Sequence, residues 1–215
     1  MKIITMKVGP LPTNCYIVLD EKGNAAVIDP GGEGASILNR ISQENATLSM
    51  VLLTHAHFDH IYGLPELGNP TLFLHKEDIP MLTDEEKNLS KAFGLSKAFG
   101  LSISGSMPTP TPISDGDQIP FGDDAFTVLH TPGHTRGGCA FLIHSFLFSG
   151  DTLFAGEIGR MDCYGGNPAD MRKSLERLYL LPGEYQILPG HGPSSTLSRE
   201  KKENPYLSSF GNCGI

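Results

Sequence analysis

Thr54-His55-Ala56-His57-Phe58-Asp59-His60-Ile61-Tyr62-Gly63 is the stretch from which the rest of the chain can be read. It packs three imidazoles and one carboxylate closely together. Imidazole suits zinc and iron and carboxylate suits harder ions, so the mixture points to a borderline first-row metal. Met50-Val51-Leu52-Leu53 precedes it as a short apolar run that reads as a buried strand. The candidate ligands therefore stand at a strand exit, where a rigid frame can aim them outward. If the chain is still extended there, His55 and His57 point to one side. Asp59 and His60 are adjacent and cannot share all of that direction, which suggests a second, neighbouring ion. A bare His-x-His is more often a pair of surface or packing residues. The longer pattern differs, because burying three imidazoles and a carboxylate without a metal would leave several polar groups to satisfy.

The stretch resembles the signature of the metallo-β-lactamase superfamily, and the resemblance continues downstream. That family supplies a His after a Pro-Gly turn, an Asp after a short strand, and a late His beside Gly. Here Thr131-Pro132-Gly133-His134-Thr135, Phe148-Ser149-Gly150-Asp151-Thr152 and Pro189-Gly190-His191-Gly192 stand in that order. The match runs from about Asn14 to Leu207. It implies an α/β fold, the four-layer αββα sandwich with two mixed β-sheets flanked by helices, where spacing alone supports only a mixed α/β class. Carried over residue by residue, it implies two divalent metal ions, zinc first, with iron or manganese as alternatives. His55, His57 and His134 would hold one ion, Asp59, His60 and His191 the other, and Asp151 would bridge them. It also implies a hydroxide held between the ions that attacks a carbonyl. Asp59 is then the catalytic residue, a ligand that also orients the hydroxide; a general base is the other reading of it.

Within the superfamily the chain most resembles the glyoxalase II-like hydrolases, which cleave thioesters such as S-lactoylglutathione. Asn14-Cys15-Tyr16, Thr54 to Gly63, Gly150-Asp151-Thr152-Leu153-Phe154 and Gly159-Arg160 carry that resemblance. Full-length glyoxalase II has an added C-terminal helical domain with basic residues for glutathione. This chain stops at Ile215, so residues 1–215 look like a single domain of the short branch, and glutathione recognition does not follow. The implied activity is hydrolysis of a small acyl thioester. The alternatives are a mononuclear iron sulfur dioxygenase, a lactonase on the same scaffold, a nuclease, or a metal-stabilised binding module without turnover. Expected substrate contacts are Arg160, Tyr164, Phe93 and Phe99. Arg160 reads first as a salt bridge holding the loop after Asp151 and second as a substrate contact.

Composition bounds the rest. The chain has 215 residues, enough for one sizeable domain, and 25 glycines with 16 prolines favour short strands and tight turns over a helical bundle. A formal net charge of −8 makes nucleic acid a poor partner. Cys15, Cys139, Cys163 and Cys213 show no C-x-x-C spacing, so neither a disulfide frame nor a zinc knuckle is expected. No apolar run suits a secretion signal or a membrane span, and a cytoplasmic, reduced protein acting on a small molecule is the simplest reading.

Along the chain, strands are expected at 2–8, 14–19, 25–29, 48–53, 71–74, 125–130, 138–143, 146–149 and 186–188. Helices are expected at 34–44, 77–91, 168–180 and 194–203, with Asn167 capping the third and Asn204-Pro205-Tyr206-Leu207 ending the fold. Asp29 reads as a turn former and as an acceptor that steadies the ligand loop. His75, His130 and His144 match no ligand position and read as structural. Leu89-Ser90-Lys91-Ala92-Phe93-Gly94 repeats as Leu95 to Gly100. Either it is a tolerated surface duplication or, with residues 89–104 mobile, a lid over the metal site with Phe93 or Phe99 as its wall.

Overall fold

The computed structural model describes residues 1–94 and 107–211. β1 (Lys2–Val8), β2 (Thr13–Leu19) and β3 (Asn24–Ile28) form an antiparallel meander. β4 (Thr47–Leu52), β5 (Thr71–His75) and β6 (Pro110–Ile113) extend it in parallel, giving a six-stranded sheet in the order β1 to β6. The second sheet also has six strands. β7 (Gln118–Phe121), β8 (Asp124–His130), β9 (Cys139–Ile143) and β10 (Phe146–Gly150) are antiparallel. β11 (Gln186–Pro189) then joins β10 in parallel, and the short β12 (Ser195–Thr196) closes that edge. The helices are α1 (Gly34–Gln43), α2 (Phe58–Ile61), α3 (Pro168–Tyr179), α4 (Leu197–Glu203) and α5 (Pro205–Gly211).

Three apolar cores stack these elements into four layers. Alternation along β2 shows how: Cys15 and Ile17 face outward onto Ile37 and Ile41 of α1, while Tyr16 and Val18 face inward. Inward residues of the first sheet, among them Ile28 and Leu52, meet Phe126, Val128, Phe141 and Phe148 of the second. The outer face of the second sheet, through Leu129, Ala140, Leu147 and Ile187, takes Met171, Leu175 and Leu178 of α3 together with Leu197 and Leu207. With both faces covered, β2 is buried along its whole length, and its sequence is correspondingly apolar. This is the αββα sandwich. No helix among the described residues is long and apolar enough to cross a membrane.

α3 starts as its sequence requires: Pro168 needs no N–H partner at the first position, and Asn167 Oδ1 accepts from the backbone N–H groups of Ala169 and Asp170 at 2.9 and 3.2 Å. Three expectations need correction. The helix over 77–91 is absent; a single 3₁₀ turn, Ile79–Met81, is followed by turns. The cause is side chains that bind the backbone locally and so compete with helix. Asp84 Oδ1 accepts from Glu86 and Lys87 N–H, buried Asn88 donates to Met81 O and accepts from Ser90 N–H, and Leu89 has φ of +70°. The helix expected from 194 begins at Leu197, because Ser195-Thr196 pair with β11 and Thr196 Oγ1 caps Arg199 N–H. Asn204-Pro205 does not end the fold: Asn204 Oδ1 accepts from Tyr206 N–H and opens α5. The edge strand β7 was not anticipated, since Pro120 removes a donor from its middle.

Candidate metal centre

Both sheets send loops to one end of the sandwich. From the first come the residues after β4. Asp29, at the end of β3, holds them: its Oδ1 accepts from Thr54 N–H at 2.8 Å and its Oδ2 from Thr54 Oγ1 at 2.6 Å. Asp29 Oδ2 also lies 2.9 Å from His60 Nδ1, and Thr54 Oγ1 lies 3.1 Å from His55 Nδ1. One carboxylate therefore orients two of the expected ligands, the role read for it in sequence. From the second sheet come His134 after β8, Asp151 after β10 and His191 after β11. The two loops touch at Gly150, which has φ of +50° and where a Cβ would fall 2.5 Å from Thr54 Oγ1. At Gly190 a Cβ would lie 2.2 Å from Asp151 Oδ1, so only glycine lets β11 approach that closely.

The seven candidate ligands converge. His55, His57 and His134 form one group, Asp59, His60 and His191 a second, and His55, His60 and Asp151 a third; in each group the donor atoms lie within 4.8 Å of one another. His57 Nδ1 faces His134 Nε2 at 2.9 Å, and His191 Nε2 lies 3.1 Å from Asp59 Oδ2. Asp151 stands between the groups, its Oδ1 3.5 Å from His60 Nε2 and its Oδ2 3.5 Å from His134 Nε2 and 3.7 Å from His191 Nε2. Asp59 and His60 sit on the one-turn helix α2, and the centroid of the His60 ring lies 4.1 Å from that of His55.

Electrostatics and unmet bonding fit a metal here. Burial, then the neighbouring imidazoles, push the His55 and His57 pKa values well below the usual histidine range. Both are thus neutral, as a ligating imidazole must be. Burial would raise Asp59, but His60 and His191 outweigh it and hold its carboxyl at about 2. Burial would lower His60, but Asp29, Asp151 and Asp59 outweigh it and raise it to about 10; the carboxylates that favour a proton here would equally favour a metal cation in its place. His55 Nε2, His57 Nε2 and Asp151 Oδ1 are buried without a hydrogen-bond partner among the described residues. Unsatisfied buried polar atoms are costly. A donor set of imidazole and carboxylate with no thiolate suits zinc, iron or manganese.

A family model for the metallo-beta-lactamase superfamily matches residues 8–191. The chain belongs to that superfamily. Among its relatives, a protein named hydroxyacylglutathione hydrolase GloC from Haemophilus influenzae is 33% identical over 97% of this chain and 99% of its own. Two solved structures superpose closely. The BLEG-1 B3 metallo-beta-lactamase has a TM-score of 0.86 at 31% identity, covering 96% of this chain and 100% of that one. TTHA1623 in a di-iron-bound form has a TM-score of 0.82 at 36% identity, covering 95% and 100%. This superfamily member therefore carries the metallo-beta-lactamase fold with a His/Asp cluster at one end of the sandwich.

The other expected residues are placed as follows. Phe93 is 49% exposed and its ring packs on Phe58, centroid to centroid 5.0 Å, so it borders the ligand loop; Phe99 and the second repeat copy lie outside the described residues. Arg160 forms a two-pronged ion pair with Asp162 at 2.7 and 2.8 Å, while its backbone carbonyl accepts from His134 Nδ1 at 2.7 Å. The exposed Tyr164 ring has Lys87 Nζ at 5.6 Å and the Arg136 guanidinium at 5.8 Å. Cys15, Cys139 and Cys163 are free thiols.

His75 stacks on His130 at 4.0 Å with ring planes 10° apart, and both line a polar cavity of about 740 Å³ behind the His134 loop. Burial first, and then His130, lower the His75 pKa to about 4. A folded pKa below the unfolded value of about 6.5 means the unfolded chain binds the proton more readily. This contribution to stability is complete above about pH 6.5 and is lost as the pH falls toward 4. His75→Phe should keep the stack and flatten stability between pH 6.5 and 4 relative to wild type. Denaturation at several pH values checks this, and parallel curves would refute it.

Proposed function

We propose that the chain is a binuclear metallohydrolase that cleaves a small acyl thioester, with His55, His57 and His134 at one ion, Asp59, His60 and His191 at the other, and Asp151 shared. The observation that carries the reading is the convergence of all seven donors around the Asp151 carboxylate, one of whose oxygens is buried and unpartnered. The similarity to a relative named hydroxyacylglutathione hydrolase supports the substrate class. Two divalent ions, most simply zinc, would acidify a water and polarise the thioester carbonyl.

The chain's own residues do the rest. Asp59, held ionised and 3.1 Å from His191 Nε2, accepts a hydrogen bond from the attacking water and so fixes its direction. Asp29 keeps His60 and the Thr54 turn in place while charge shifts in the site. Phe58 and Phe93 pack on one another beside the ligand loop and would wall one side of the site, and Arg160 and Tyr164 are the candidates to meet the tail of the thiol.

The test is metal analysis of purified protein beside steady-state kinetics on S-lactoylglutathione, other acyl thioesters, lactones and phosphodiesters in one metal buffer. Two ions per chain with thioester turnover is expected. A loaded site with brisk lactone or phosphodiester cleavage and no thioester activity would overturn the substrate class. One iron per chain with oxygen uptake would instead favour the sulfur dioxygenase. Phe93→Ala should raise KM roughly fivefold, about 1 kcal/mol of uniform binding, with kcat nearly unchanged. An unchanged KM across the thioester panel would remove Phe93 from the substrate wall.

A further inference from the structure

Asp78 is a buried carboxylate that no motif reading selects. It precedes the 3₁₀ turn Ile79–Met81 and is fully buried. Its Oδ1 accepts from Gly137 N–H at 2.7 Å, and its Oδ2 accepts from Thr135 Oγ1 at 2.7 Å and from Ala56 N–H at 3.4 Å. Among the described residues it forms no ion pair, so three neutral donors carry the whole cost of burying it. Three donors pointing at one side chain require an acceptor-only group, and a carboxylate is one. The approach is tight: a Cβ at Gly137 would fall 2.7 Å from Asp78 Oδ1.

The partners are what matter. Ala56 lies between His55 and His57, and Thr135 follows His134. These segments come from different sheets, and Asp78 ties them together from a third loop. Asp78 makes no such contact with Asp59, His60 or His191. The same loop meets the first arm again at Phe58, whose N–H donates to the Asn88 backbone carbonyl at 2.9 Å.

We propose that Asp78 is the positioning residue for the ion held by His55, His57 and His134: it sets how far apart the two arms of that three-histidine set stand, and thereby how firmly that ion is held, without touching ion or substrate. This rests on the metal reading above. Orienting partners of ligands are typically worth about 10–100-fold in metal affinity.

Cobalt loading tests it, with release to a chelator followed by visible absorbance. His134→Ala and His191→Ala each cripple one position and provide reference spectra. Asp78→Asn should speed release from the three-histidine position about 10–100-fold and leave the other within about twofold. The half-stripped variant should match the His134→Ala spectrum. Thr135→Val removes one donor and keeps the shape, so it should speed release at the same position by a smaller factor. It decides the matter if Asp78→Asn does not fold. Equal acceleration at both positions, or none, would overturn the proposal while a two-ion wild type leaves the metal reading standing. A wild-type chain that takes up no cobalt would overturn both.

Discussion

Asp59→Asn is expected to keep the fold and to lower turnover by about 10²–10⁴-fold, the range over which a positioned proton-handling group acts. The change is isosteric and occurs at the end of a loop held by Asp29, so backbone and packing have little reason to move. What changes is charge. The carboxylate lies 3.1 Å from His191 Nε2 and 3.8 Å from His60 Nε2, and those imidazoles keep it ionised despite its burial. An amide replaces one acceptor by a donor and removes the negative end from the water's path. The loss should appear in kcat and kcat/KM alike, because the group acts in the transition state. Kinetics on metal-counted protein decides it. A variant with a full metal complement and a near-normal rate would leave Asp59 a spectator.

Asp151→Ala should act more broadly. Asp151 lies within 3.7 Å of members of both ligand sets, and its Oδ1 has no hydrogen-bond partner among the described residues. Removing it should weaken retention of both ions by at least about 100-fold, more than the usual worth of an orienting partner. The ion count after dialysis should fall from two per chain to one or fewer. Because a ligand bound only by the folded state stabilises it, losing an ion present at 100 times its Kd removes about 2.7 kcal/mol. For a chain of this size that is a fall in Tm of roughly 5–10 °C. Calorimetry of the variant and of chelated wild type should give matching shifts. A wild type whose Tm ignores the chelator would argue against ions as part of the native structure.

Much of this site was legible in the sequence because its signals are local. His55, His57, Asp59 and His60 fall within one turn of chain, and the later ligands each follow a short apolar strand and sit beside a glycine. Asp29 was legible for the same reason, as a strand end followed by Pro-Gly. Asp78 was not. Its donors are 22, 57 and 59 residues away, and nothing in Lys76-Glu77-Asp78-Ile79 distinguishes it from a surface carboxylate. The strands were read from alternation and apolar runs, and α1 and α3 from spacing and caps. The segment after β5 was misread as helix because charged residues there satisfy helical propensity, while the bonds of Asp84 and Asn88 to nearby backbone decide the outcome.

The ligands are divided between the sheets, and that division has a consequence for how the protein comes to be. His55 to His60 leave the first sheet, and His134, Asp151 and His191 leave the second. The seam between them is stitched by Cys139 N–H to Thr54 O at 2.8 Å, Asn14 N–H to Gly190 O at 2.7 Å, and Tyr16 hydroxyl to Pro189 O at 2.7 Å. Neither half alone can assemble the full set. A newly made chain can therefore form most of its strands and still lack the complete set of candidate ligands, until the final residues of the second sheet dock. On the metal reading, ion uptake during refolding should lag strand formation, because a partly folded copy has no complete ligand set.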